Sequence, residues 1–237
     1  MSIRGYIYHI LMLLTVITSS CIQGGGVSSS SGAGYPDPAR YEVRGLDISA
    51  HNGEIDFERV KAQGFDFVVA KATEGATFRD RRFVDNIRRA RKAGLRVGAY
   101  HFFRFDTPGY MQGLNFAAAV EGRDLDIPLV IDLEEWTNPT AQATPLVINR
   151  LTEMLDHLEQ RGYKVMLYTN KNGYNRFLRS LPRSYPLWIC SLGEEPQLSG
   201  WTLWQATHSG RVDGVDHPVD INAFAGSLSE WEAFLAR

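Results

Sequence analysis

The chain has 237 residues, 44% of them hydrophobic and 22% charged, which is enough for one large domain or two small ones around a sizeable core. Its net charge of −2 provides no basic excess to neutralise phosphates and argues against nucleic acid as a partner. With two cysteines, the fold is not a disulfide framework.

The first residues, "MSIRGYIYHILMLLTVITSSC", carry one Arg, an apolar run from Ile7 to Ile17, and then small residues. That is the layout of a secretory signal, and the run is too short to stay in a bilayer as a helix. It stops at Cys21, before "IQGGGVSSSSGAG". The arrangement resembles a bacterial lipoprotein signal, with Thr18 where such signals usually have an aliphatic residue. The resemblance implies lipid on Cys21 and an exported protein anchored at the bacterial cell envelope. Cleavage near Ser20 and plain secretion is the alternative. Residues 22–40 are rich in Gly and Ser and hold too little apolar surface to pack, so they read as a flexible tether. The expected division is a signal over 1–20, lipidated Cys21 and tether over 21–40, and one folded domain over 41–237. Cys190, in "PLWICSL", reads as a small buried hydrophobe.

From Tyr41 the pattern is regular. Amphipathic stretches end in Gly64, Gly94 and Gly162, each followed by an apolar run, as helix C-caps before strands. Eight strands are predicted, over 43–48, 66–72, 96–103, 128–133, 164–169, 186–191, 201–205 and 219–222. Helices are predicted over 57–63, 80–93, 109–121, 144–161, 172–181 and 228–236, the last opened by a Ser227–Glu230 capping box. The spacing in the last third leaves no room for full crossover helices. The α/β class that fits is a single irregular TIM-like β/α barrel of eight strands with fewer than eight helices. A doubly wound sheet is the alternative, but no Gly-rich phosphate loop follows the first strand.

In such a barrel, chemistry sits at the strand ends. The fourth strand runs into "PLVIDLEEW", where alternation puts Asp132 and Glu134 on one face and Leu133 and Glu135 on the other. Two carboxyls about 7 Å apart repel unless one holds a proton, as an acid catalyst must. Asp47 and Asp220 come from other strand ends. Aromatics come from several more: Tyr100, Phe102, Tyr168, Trp188 and Trp204. Carboxylates ringed by aromatic faces suit a carbohydrate. His51 and His101 lack metal-site spacing and no Cys cluster exists, so neither metal nor cofactor is expected.

The segments "RGLDISAHNGEIDFERVKAQGFDFVVAKATEG", "AGLRVGAYHFFRF", "LVIDLEE", "YPLWI", "LWQ" and "VDINAF" occur in this order from Arg44 to Phe224. Together they resemble the glycoside hydrolase family 25 lysozymes. The resemblance implies a flattened β/α barrel cleaving the β-1,4 bond after N-acetylmuramic acid in peptidoglycan, without a cofactor and as a monomer. It places the functional acids on Asp47, Asp132, Glu134 and Asp220. Glu134 would be the general acid and Asp132 the partner of the substrate's 2-acetamido group, in a retaining, substrate-assisted route. Lys71, Tyr100, Arg104, Tyr168, Trp188 and Trp204 are the expected substrate contacts. Ala206 stands where the family often has Tyr, and no wall-binding repeat is read after the barrel. A chitinase-like endoglycosidase and an inactive peptidoglycan-binding lipoprotein are the alternatives.

Overall fold

The computed structural model describes residues 37–236. The signal and Cys21 lie outside the described residues. At Pro38–Arg40, the end of the stretch read as tether, a 3₁₀ turn forms, with the Asp37 carboxylate accepting from Ala39 N at 2.9 Å.

The strands are β1 Arg44–Ile48, β2 Phe67–Glu74, β3 Phe78–Arg79, β4 Arg96–Phe102, β5 Leu129–Asp132, β6 Val165–Asn170, β7 Leu187–Cys190, β8 Leu203–Gly210 and β9 Val219–Phe224. Eight of them close in the order β1-β9-β8-β7-β6-β5-β4-β2, with β1 pairing β2 to seal the ring. The ninth, β3, is a two-residue hairpin return on β2, too short for its periodicity to be read from sequence. Most neighbours are parallel, but β9 runs antiparallel to both β8 and β1. Asp220 therefore reaches the site from the start of its strand rather than from its end. The direct β8–β9 return leaves no room for a crossover helix, as the short spacing predicted.

The helices are α1 Phe57–Ala62, α2 Phe83–Lys92, α3 Gly109–Val120, α4 Thr144–Gln160, α5 Lys171–Gly173 and α6 Leu228–Leu235. Gly64, Gly94 and Gly162 sit just past α1, α2 and α4 with φ of +80°, +83° and +82°, the left-handed conformation that ends a helix. The helix predicted over 172–181 forms only in part: α5 passes into a π turn at Tyr174–Leu178. Asn170 caps this segment by accepting from Gly173 N at 3.0 Å, and the wide turn seats Phe177 edge-on against Phe105. In α6, Ser227 and Glu230 form the predicted capping box.

Strand alternation sorts the core into two layers. Leu129, Ile131 and Leu133 face outward, into the large cluster shared with α2, α3 and α4. Val130 faces inward with Phe67, Val69, Met166, Trp188 and Phe224. Trp231 of α6 packs on Phe67 and Phe224 with ring centroids 5.0 and 5.1 Å away. A Cβ on Gly45 would meet the Phe67 ring at 2.3 Å, so this inner layer needs glycine there. With one end filled by apolar side chains, polar inward-facing residues collect at the other.

Candidate active site

A cleft of about 860 Å³ opens at the C-terminal ends of the parallel strands. Asp47, Asp132, Glu134 and Asp220 all line it. The inward set on β5 is Val130, Asp132 and then Glu134, while Leu133 is buried outward and Glu135 pairs with Arg176 away from the cleft. The alternation read from "VIDLEE" thus continues two residues beyond the strand.

Asp47 and Asp220 are register partners across the antiparallel β1–β9 pair. Like charges opposite one another repel. Two amides intervene. Gln205 Nε2 donates to Asp47 Oδ2 at 2.9 Å and lies 3.3 Å from Asp220 Oδ2, and Asn222 Nδ2 donates to Asp47 Oδ2 at 2.8 Å. Both amides are themselves oriented. Gln205 Oε1 accepts from Tyr168 Oη at 2.7 Å, and Asn222 Oδ1 accepts from Trp188 Nε1 at 3.0 Å.

Burial holds the Asp47 carboxyl well above the ordinary carboxylate range, with Asp220 pushing the same way and the two amides opposing. Asp132 is raised well above that range by burial and then by Glu134, with Lys71 opposing. Glu134 is raised too, mainly by burial, against the lowering effects of Asp132, His208 and Tyr168. Asp132 Oδ1 is buried without a hydrogen-bond partner, which favours one proton being shared within the Asp132–Glu134 pair over two adjacent anions. The two carboxyls titrate as a pair that keeps a proton to higher pH than either would alone. This cleft can donate a proton to a substrate oxygen.

The described residues match the family model for glycosyl hydrolases family 25 over residues 46–215. The chain belongs to glycosyl hydrolase family 25. The structure of a family 25 glycosyl hydrolase from Bacillus anthracis is 34% identical, with a TM-score of 0.76, covering 87% of this chain and 99% of that one. The lysozyme from Streptomyces coelicolor is 32% identical with a TM-score of 0.73, covering 81% and 96%. Lysozyme M1 of Streptomyces globisporus is 35% identical over 206 residues, 79% of this chain and 69% of that protein. The protein is a glycoside hydrolase.

Not every expected contact residue of this family 25 enzyme meets the cleft in the same way. Lys71, Tyr100 and Arg104 line it. Lys71 Nζ bonds Glu74 at 2.8 Å and lies 5.1 Å from the Phe102 ring centre. Arg104 Nη1 donates to the Thr137 carbonyl at 2.9 Å. Tyr168 and Trp188 form the floor, 4% and 2% exposed, and meet edge to face at 5.0 Å. Trp204 is different. It is fully buried on the outer face of β8, packed between Tyr41 and Trp201, and its Nε1 donates to Ser191 O. Strand parity decides this: Leu203 and Gln205 face inward, so Trp204 must face out.

Other cleft residues escaped the sequence reading. Gln205 lies within "LWQ" and Asn222 within "VDINAF", where the two-residue step from Asp220 puts Asn222 on the same strand face. His208 was not readable, because β8 shifts register between Gln205 and Thr207 and again before Gly210, which breaks the parity rule. Its Nδ1 lies 3.4 Å from Asp220 Oδ1 and its Nε2 3.9 Å from Cys190 Sγ; with these partners its affinity for a proton rises to about 10. Cys190 is only half-buried. Among the described residues, no group of three or more His, Cys, Asp or Glu side chains is placed to hold a metal ion.

Proposed function

We propose that the enzyme hydrolyses peptidoglycan at the β-1,4 bond between N-acetylmuramic acid and N-acetylglucosamine. The observation that carries this reading is the Asp132–Glu134 pair, two inward carboxyls with raised proton affinity in one cleft, in a chain whose relatives include lysozymes. Glu134 protonates the glycosidic oxygen as its bond to the anomeric carbon breaks. The 2-acetamido carbonyl oxygen forms the new bond to that carbon, and Asp132, as the anion, balances the positive charge on the resulting ring. Glu134, now a carboxylate, takes a proton from water, whose oxygen attacks from the vacated face. The acetamido group is restored, and the two inversions give net retention. Asp47 and Asp220, tied through Gln205, support the electrostatics of the pair.

The assay that tests this is digestion of purified peptidoglycan with identification of the new reducing ends. Reducing muramic acid is the expected product. Reducing glucosamine would indicate a chitinase-like specificity, and binding without release an inactive wall-binding protein. A thiazoline analogue of the sugar should inhibit, and a fluorosugar ester trapped on Asp132 or Asp47 would sink the acetamido route. On the sequence of residues 1–40, the enzyme is exported and held at the bacterial cell envelope by lipid on Cys21, with plain secretion as the alternative outcome.

A further inference from the structure

Trp136 is 74% exposed and lines the cleft two residues beyond Glu134. Leaving an indole in water forgoes a large apolar contribution to folding, so its position calls for a reason. The backbone beside it adds a second. Thr137 has φ of +59°, the one positive value outside glycine among the described residues. For a β-branched residue this conformation is a strained outlier, sustained only where its surroundings enforce it.

Those surroundings are specific. Arg104 Nη1 holds the Thr137 carbonyl at 2.9 Å. Asn138, 7% exposed, donates to Phe103 O at 2.8 Å and to Glu134 O at 2.7 Å, while its Oδ1 accepts from Phe105 N at 2.8 Å. One side chain thus ties the turn both to the segment after β4 and to the backbone of Glu134. Arg104 is in turn 3.8 Å from Glu74, which Lys71 holds. The strained turn is fastened on both sides of Trp136, and the indole itself stays 74% exposed.

We propose that Trp136 is a stacking platform for a pyranose ring of the glycan strand, at the cleft rim beside Glu134, and that Arg104 is its positioning residue rather than a direct sugar ligand. The inference rests on the glycan-cleaving reading of this cleft. The occupant follows from continuity: a strand threading a site at Glu134 must leave it past the rim, where the apolar C–H face of a sugar matches the indole. The floor aromatics Tyr168 and Trp188 are too buried to present an open ring face.

The test uses the full chain and a soluble, peptide-free oligosaccharide of alternating N-acetylglucosamine and N-acetylmuramic acid. Binding is measured by titration calorimetry in a Glu134→Gln background, and turnover in the wild-type background. Trp136→Ala should weaken binding about tenfold and raise KM similarly with kcat within about twofold, whereas Trp136→Tyr should restore most of both. Arg104→Ala should reproduce the KM effect, and Arg104→Lys should recover part of it by keeping a donor to Thr137 O. Unchanged binding by Trp136→Ala, or a fall in kcat at constant KM, overturns the platform. The two readings fail separately. Wild-type protein that binds the oligosaccharide through Trp136 but releases no reducing ends defeats the cleavage reading alone, and cleavage indifferent to Trp136 defeats the platform alone.

Discussion

Gln205 donates to Asp47 at 2.9 Å from the inner face of a strand that is not Asp47's neighbour in the barrel, since β9 lies between β8 and β1. Spanning β9 lets one amide serve two carboxylates, and Tyr168 fixes which end of that amide points at them. Replacing Gln205 by Met keeps the bulk and removes every one of these bonds. The buried Tyr168 hydroxyl then loses its acceptor, a cost of about 1–3 kcal/mol. Freeing Asp47 and Asp220 to separate should lower kcat by roughly 10²-fold, as small displacements in a catalytic site do. Urea denaturation together with steady-state kinetics checks both, and a variant with wild-type kcat would show that the bridge is only structural.

Glu134→Gln should lower turnover by about 10²–10⁴-fold, the usual contribution of a general acid, with the thermal midpoint kept or raised. The amide fills the same space and removes a half-buried carboxyl that repels Asp132. Asp132→Asn should be comparably severe because an amide carries no charge to set against the acetamido-derived cation. Near wild-type hydrolysis by Glu134→Gln would remove Glu134 from its role.

Strand parity made much of this readable. The alternation through "VIDLEE" located Asp132 and Glu134 on the inner face, and glycine C-caps located three helix ends. The same rule, applied to "LWQ", sends Trp204 outward, because aromatic character alone does not say which face of a strand a residue takes. The direction of β9 was less accessible. A strand's polarity depends on which partners it finds, and "VDINAF" has the same alternation read from either end. His208 lay beyond reach for a different reason, since a bulge is a local insertion that apolar periodicity does not record. Trp136 follows the strand's end, where no periodicity applies.

His101 bears on acid stability. It is fully buried, Nδ1 lies 2.7 Å from Thr73 Oγ1, and Nε2 lies 3.0 Å from Gln112 Oε1. Gln112 Oε1 only accepts, so Nε2 carries the proton and Nδ1 accepts from Thr73. Burial lowers its proton affinity to about 4, from 6.5. Between those values the unfolded chain binds the extra proton, so the stability His101 contributes is full above pH 6.5 and is lost as pH falls toward 4. Comparing wild type with His101→Gln by urea denaturation, the stability difference should be larger at pH 7 than at pH 4 by about 3 kcal/mol. A pH-independent difference would mean that the histidine binds its proton equally well in the folded and unfolded states. Asp47, Asp132 and Glu134 act in the opposite sense, favouring the fold at low pH and losing that contribution as pH rises through their raised values.

The prediction for Cys21 comes from the sequence alone. If the residue carries lipid, two or more acyl chains suffice for lasting membrane attachment. Cys21→Ala should move the enzyme from the membrane fraction to the exported soluble fraction with kcat unchanged. Mass spectrometry of the mature N-terminus supplies the second reading, and an unlipidated wild-type N-terminus would establish plain secretion.

The last prediction concerns the alkaline limb of activity. Glu134 must hold its proton to act, so kcat/KM should fall as pH rises through the raised value of the Asp132–Glu134 pair. The charged groups facing Glu134 set where that happens. His208, cationic through its contact with Asp220, favours the Glu134 carboxylate and lowers that value, whereas Asp220 itself raises it. His208→Gln removes the cation and leaves Asp220 without its counter-charge. Both changes act in one direction: the pair should keep its proton longer, and the alkaline limb should move to higher pH. Lys71, on the β2 side, opposes proton retention by Asp132 and gives an independent check. Lys71→Met should move the limb the same way. Salt should shrink the His208 effect more than the Lys71 effect, because the imidazole is half exposed and the Lys71 side chain is only 14% exposed. A limb that stays in place in both variants would mean that the falling activity reports a group other than this carboxyl pair.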